Sequence, residues 1–119
     1  MGEDLTPRKE RAILVGVTLP GMSDWEAEDS LDELGRLIDT ADLVEVERVQ
    51  QARARIDSAQ YIGKGKAEEL KALAQQHEAD MIVFDNDLSP AQMRNLENTT
   101  KSRILDRSAV ILDIFSRHA

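Results

Sequence analysis

Apolar positions along this chain follow two periods, one of a strand and one of a helix. Ala12-Ile13-Leu14-Val15-Gly16-Val17 is a short, continuous, β-branched run that stops at Pro20-Gly21, which suits a strand buried on both faces. Ser23 and Glu26 have the spacing of a capping box and open a helix over residues 24–40, with Leu31, Leu34, Ile38 and Ala41 as its buried stripe. Leu43 to Val49 alternates, with Val44 and Val46 on one side, and predicts a second strand before a polar connection from Gln50 to Gln60. Gly63-Lys64-Gly65 leads into a helix over residues 66–78, striped by Ala67, Leu70, Leu73 and Ala74. Met81-Ile82-Val83-Phe84 predicts a third buried strand ending at Asp85-Asn86-Asp87. Ser89-Pro90-Ala91-Gln92 then starts a helix, with Ser as N-cap, Pro at the first position and Gln at the third. Arg103-Ile104-Leu105 predicts a short fourth strand. Ser108 is placed to cap a last helix carrying Ile111, Ile114 and Phe115, although Val110 to Phe115 also fits a strand.

The order β-α-β-α-β-α-β-α, with short connections, predicts an α/β fold: a small, mostly parallel four-stranded sheet with helices on its faces and strand order 2-1-3-4. A chain of 119 residues holds one core, divided into a flexible N-terminal tail over residues 1–10 and a single domain over 11–119. The absence of cysteine excludes disulfides and thiolate metal sites. His77 and His118 stand alone and form no His-rich metal cluster. No apolar run approaches the roughly 20 residues that span a bilayer, and the opening MGEDLTPRKER lacks the apolar segment of a signal peptide. A cytoplasmic location with no membrane partner is the expectation.

Charge changes the picture more than composition does. The chain carries 23 acidic and 15 basic side chains, a net charge of −8. The whole excess lies in residues 1–50, mostly between Asp24 and Glu47, whereas residues 51–119 balance. If the chain meets an anionic partner, the second half is expected to face it. The acids Asp24, Glu26, Glu28 and Asp29 crowd the start of the first helix, where the helix dipole favours them, and read most simply as a solvated face.

In open α/β sheets ligands sit beyond the carboxyl ends of the strands, which here bear Thr18 to Gly21, an arginine-containing loop, Asp85-Asn86-Asp87 and Asp106-Arg107. Gly63-Lys64-Gly65-Lys66 offers glycines and lysines at a helix start, where backbone amides can approach a phosphate. It is not a Walker A loop, and a plain glycine turn explains it as well. Asp85, Asn86 and Asp87 could hold a metal or a ribose, or simply form an Asx turn before Ser89. A receiver-type phosphorylation site would need acids after the first strand, where Thr18-Leu19-Pro20 has none. Arg53 and Arg55 alternate with Ala52, Ala54 and Ile56, so with Lys64 and Lys66 they can form a basic edge suited to phosphates of structured RNA; Arg94 and Arg107 are second choices. The plainer alternative is surface pairing with Asp57, Glu68 and Glu69. No catalytic constellation can be assembled from these residues.

Three segments carry a resemblance. Tyr61-Ile62-Gly63-Lys64-Gly65-Lys66 with Glu68-Glu69-Leu70, then Leu88-Ser89-Pro90-Ala91-Gln92-Met93-Arg94-Asn95-Leu96-Glu97, then Ile104-Leu105-Asp106-Arg107 continuing through Ile111-Leu112-Asp113-Ile114-Phe115, resemble the N-terminal domain of the HflX family of GTPases. The similarity covers roughly residues 11–119; departures are the absence of a proline near Ile56 and the ending Ser116-Arg117-His118-Ala119. The resemblance implies an α/β domain joined to a helical linker and a GTP-binding domain that uses GTP and Mg²⁺. It also implies binding to the large ribosomal subunit, contact with ribosomal RNA, and a role in splitting or rescuing ribosomes. Some members are implied to bind or hydrolyse ATP through this domain. The chain carries no Walker A loop, Asp-x-x-Gly switch or Asn-Lys-x-Asp motif, so by itself it is expected not to be a GTPase. Three roles follow as expectations: a ribosome-binding module, an adenine-nucleotide (ATP) site near Gly63 and Gly65, or an intramolecular regulator that docks on its own GTPase domain.

Overall fold

A computed structural model describes residues 8–118, so the tail expected over residues 1–10 lies largely outside the described residues. Eight elements alternate in the order β1 (Arg11–Thr18), α1 (Asp24–Thr40), β2 (Val44–Ala52), α2 (Lys64–Gln76), β3 (Met81–Phe84), α3 (Pro90–Thr100), β4 (Arg103–Asp106) and α4 (Arg107–His118). The strands form one four-stranded sheet of order β2-β1-β3-β4, with every neighbouring pair parallel. The expected α/β class and the strand order 2-1-3-4 are what the chain adopts.

β1 and β3 lie in the centre, which is why their sequences are so apolar: side chains alternate between two covered faces. Ile13, Val15, Val17, Ile82, Phe84 and Ile104 meet α2 and α3 through Ala67, Leu70, Ala74 and Leu96. Ala12, Leu14, Met81 and Val83 meet α1 and α4 through Leu31, Leu34, Ile38 and Val110. β2 is an edge strand and is mostly polar; of its side chains only Val49 is buried. Its charged residues discourage pairing with a further strand.

Local chemistry sets the boundaries. Ser23 Oγ accepts from the Glu26 amide at 3.2 Å, while Ser89 and Gln92 form both halves of a capping box. Asp42, Glu78 and Lys101 follow or close α1, α2 and α3 with φ of 64°, 51° and 59°, left-handed positions usually given to glycine. Several expected boundaries move. β2 runs on through Gln50, Gln51 and Ala52, because β1 offers partners as far as Thr18. α2 begins at Lys64 and ends at Gln76, two residues earlier at each end than its apolar stripe suggests. Ser108 does not cap α4: β4 passes straight into the helix, the Asp106 carboxylate accepts from the Ala109 amide at 2.9 Å, and Ser108 Oγ donates to Asp87. Val110 to Phe115 is helical. Among the described residues no helix is long and apolar enough to cross a membrane.

Candidate functional site

The carboxyl ends of the strands carry two structures, a clamped loop after β2 and an arginine-centred junction after β3 and β4. In the loop, Asp57 Oδ1 accepts from the amides of Ala59 and Gln60 at 2.8 and 2.9 Å, an Asx turn. Those bonds hold the Asp57 carboxyl below its ordinary value of 3.8, with nearby Arg53 adding to the effect. Backbone bonds between Asp57 and Tyr61 close the loop in both directions. Tyr61 sits at φ 71° with its side chain buried edge-on against Phe84, ring centroids 6.2 Å apart. Burial first, then the charges of Asp85 and Asp87, raise the Tyr61 phenol above its usual range.

α3 fastens this loop. Gln92 Nε2 donates to the Asp57 carbonyl at 2.9 Å while its Oε1 serves the helix cap, and Asn95 Nδ2 donates to the Ala59 carbonyl at 2.8 Å. Gln51 Oε1 accepts from the Gly63 amide at 3.1 Å and sets the start of α2. Gln51, Gln92 and Asn95 were not among the residues the sequence singled out as candidates for a site. The Asp57-Ser58-Ala59-Gln60 turn was readable in principle, but its fasteners lie more than thirty positions away along the chain.

The sequence candidates gather unevenly. Arg53 Nε donates to the Arg55 carbonyl at 3.0 Å, and its guanidinium lies over Gly63, where a Cβ would come within 2.6 Å of Nη1. A side chain at this position would displace the guanidinium, the far end of a flexible side chain. Arg55 and Lys64 are exposed, and neither they nor Arg53 forms an ion pair among the described residues. Lys66 is half-buried and pairs with Glu69 at 2.8 Å. Gly65 has nothing within 4 Å of a Cβ position. Gly63 is the N-cap of α2 and offers no side-chain cap, so beyond its own amide, which Gln51 takes, the first helical amides remain available. Arg94 is exposed on α3, next in sequence to Asn95.

Arg107 stands apart from that group. Its guanidinium donates to the Asp85 carboxylate, to the Ser30 carbonyl at 2.9 Å and to Glu33 at 3.1 Å, joining β3, α1 and α4. Ser30 Oγ donates to the other Asp85 oxygen at 2.6 Å, and Asp106 accepts from the Leu88 amide at 3.1 Å. Asp85 and Asp106 are thus occupied inside the protein, and among the described residues no group of three His, Asp or Glu side chains could hold a metal ion. Two cavities, of about 30 and 240 Å³, lie at the other end of the sheet, the first beside Glu10, Arg103 and Arg117 and the second between Ala74 and Ser102.

Comparison with known proteins places this architecture. The family described as GTP-binding GTPase N-terminal matches residues 28–116. A GTPase HflX of Lacrimispora saccharolytica is 47% identical over 116 residues, covering 98% of this chain and 27% of the relative. The GTPase HflX of Escherichia coli is 34% identical, covering 92% and 25%. The chain therefore spans about a quarter of the length of the curated relatives it matches. Among solved structures, a GTP-binding protein from Sulfolobus solfataricus in complex with GDP superposes with a TM-score of 0.63 at 18% identity, covering 90% of this chain and 30% of that one. An SsGBP and GDP complex gives 0.67 at 20% identity, covering 92% and 30%. The fold, the motif order and the match across nearly the whole length agree: the chain belongs to the GTP-binding GTPase N-terminal family, as the N-terminal domain of HflX.

Proposed function

We propose that this domain is the ribosome-binding and regulatory N-terminal part of an HflX-type GTPase acting on the large ribosomal subunit, in the cytoplasm. The observation that carries the reading is the edge formed by Arg53, Arg55 and Lys64. These cations flank a loop fastened from α3 and form no direct ion pair among the described residues, although Arg53 lies near Asp57. Cations on a fixed backbone suit phosphate contacts, since binding then orders side chains and not the loop that carries them. Lys66, paired with Glu69, and Arg94, exposed on α3, are the further candidates, whereas Arg107 holds Asp85 in place and contributes through stability. GTP and Mg²⁺ are assigned to the part of the longer relatives beyond this chain, and GTPase activity with them.

The test is co-sedimentation of the chain with purified large subunits over a salt series. Pelleting should fall as salt rises. Neutralising Arg53 and Lys64 should weaken it and make the salt slope shallower by about one for each phosphate left without its cation. No pelleting at low salt would overturn the reading.

Two narrower roles have an observation each. The uncapped start of α2 with open space at Gly65 favours an adenine-nucleotide site, which ATP-Mg²⁺ would reveal as a thermal shift. Leu112 and Phe115, both 68% exposed on α4, favour docking on the GTPase domain, with Ile111 and Ile114 half-buried beside them. Adding that domain in trans would then change its GTP turnover.

A further inference from the structure

Trp25 stands in the first turn of α1 with 69% of its surface exposed, on the side away from the buried stripe of Ala27, Leu31, Leu34 and Ile38. By helical periodicity Glu28, Asp29 and Asp32 share that side. Asp24, Glu26, Glu28 and Asp29 make no ion pair among the described residues, whereas Asp32 and Glu33, further along, are taken by Arg48 and Arg107. Folding accounts for part of this. Asp24 and Glu26 lie in the first turn, where the helix dipole favours acids. Glu28 and Asp29 lie beyond it, and Glu28 is four residues from both Asp24 and Asp32, a spacing at which like charges repel. Among the described residues the indole is left mostly uncovered.

A large aromatic ring bordered by unpaired carboxylates matches one partner chemistry. Lysine or arginine side chains can lie over the ring face, their stems on its apolar surface and their charges against the acids. Nucleic acid would be repelled, and an acidic or neutral protein would leave the carboxylates desolvated without partners. We propose that the exposed face of α1 is a docking surface for a lysine- and arginine-rich protein segment, anchored by Trp25 and steered by Asp24, Glu28 and Asp29. The surface lies across the sheet from α2 and α3 and is opposite in charge to the Arg53 edge. It goes beyond the RNA-facing reading and does not depend on it.

Trp25 is the only tryptophan in the chain, so its emission reports on this face directly. The probe is a synthetic peptide of alternating lysine-arginine pairs and leucines, with a glutamate-for-cation version and single-stranded RNA as comparisons. The cationic peptide should shift Trp25 emission saturably and in a salt-sensitive way. Anisotropy of the labelled peptide should show about a tenfold loss of affinity for Trp25→Ala, as expected of a central tryptophan anchor, and a similar loss for Glu28→Gln with Asp29→Asn. Glu97→Gln, an exposed acid on α3, should bind as the parent does. These positions are exposed, so the variants should unfold no earlier than the parent, and Glu28→Gln with Asp29→Asn slightly later as the like-charge repulsion is relieved. Equal peptide affinity for Trp25→Ala and parent would overturn the proposal, as would an equal emission response to the acidic peptide or to RNA. Concentration-dependent mass with loss of Trp25 exposure in the absence of peptide would overturn it in favour of self-association.

Discussion

Replacing Arg107 with methionine keeps much of the side chain's apolar length and removes the guanidinium that joins α1, β3 and α4. The Asp85 side chain is only 7% exposed, so its charge stays buried with the Ser30 hydroxyl as its remaining side-chain donor. Removing one partner of a buried ion pair costs about 3–5 kcal/mol. The surviving Ser30 bond, and the 21% exposure of the Arg107 side chain, put this case at the lower end, about 3 kcal/mol. Giving up the Glu33 pairing adds little, since that carboxylate is largely in water. For a domain of this size roughly 4 °C of Tm accompanies each kcal/mol, so Tm should fall by about 12 °C. Urea unfolding of Arg107→Met, Asp85→Asn and the double variant closes a thermodynamic cycle. The double should be less destabilised than the sum of the singles by about 2 kcal/mol. A loss below about 1 kcal/mol for Arg107→Met, with an unchanged m-value, would refute the reasoning, because Asp85 would then be reaching water.

Three further outcomes are expected. Gly65→Ala should raise stability by about 0.5–1 kcal/mol in urea unfolding, because the position is helical and a Cβ there meets nothing; destabilisation would mean that the first turn of α2 is not helical in solution. Lys101→Gly should stabilise by about 1 kcal/mol, since φ of 59° strains any side chain with a Cβ, and an unchanged midpoint would count against that strain. The Asp57 carboxyl is depressed in the folded state, so its contribution is present above the ordinary value of 3.8 and is lost as pH falls through the folded value. Comparing acid unfolding of the parent and Asp57→Asn should show a steeper loss in the parent over that window; parallel curves would dismiss the turn as its cause.

Much of this protein was written locally. The continuous apolar runs at Ala12–Val17 and Met81–Phe84 announce strands covered on both faces, and the Ser89-Pro90-Ala91-Gln92 start specifies its cap within four residues. Short-range rules suffice there, because burial on both sides of a strand and satisfaction of helix-end amides are set by neighbours in sequence. From these runs follow the α/β class and the parallel sheet. Alternation next to a glycine turn also drew attention to Arg53, Arg55, Lys64 and Lys66, but not to the pairing of Lys66 with Glu69.

Other features came only from packing. Edge position lengthens β2 through Ala52, since β1 supplies ladder partners whatever the polarity of Gln50 and Gln51. Gln92 reaches Asp57 and Arg107 reaches Ser30 across 35 and 77 positions of chain, distances over which periodicity carries no information. The same side-chain type therefore takes opposite parts: Arg53 lies over Gly63 at the surface, and Arg107 closes a junction on a buried carboxylate. What sequence alone determined was which residues are apolar, capped or charged. Tertiary structure decided which charges find partners, because a charge brought out of water must be paired, and only the assembled fold determines which ones are brought out of it.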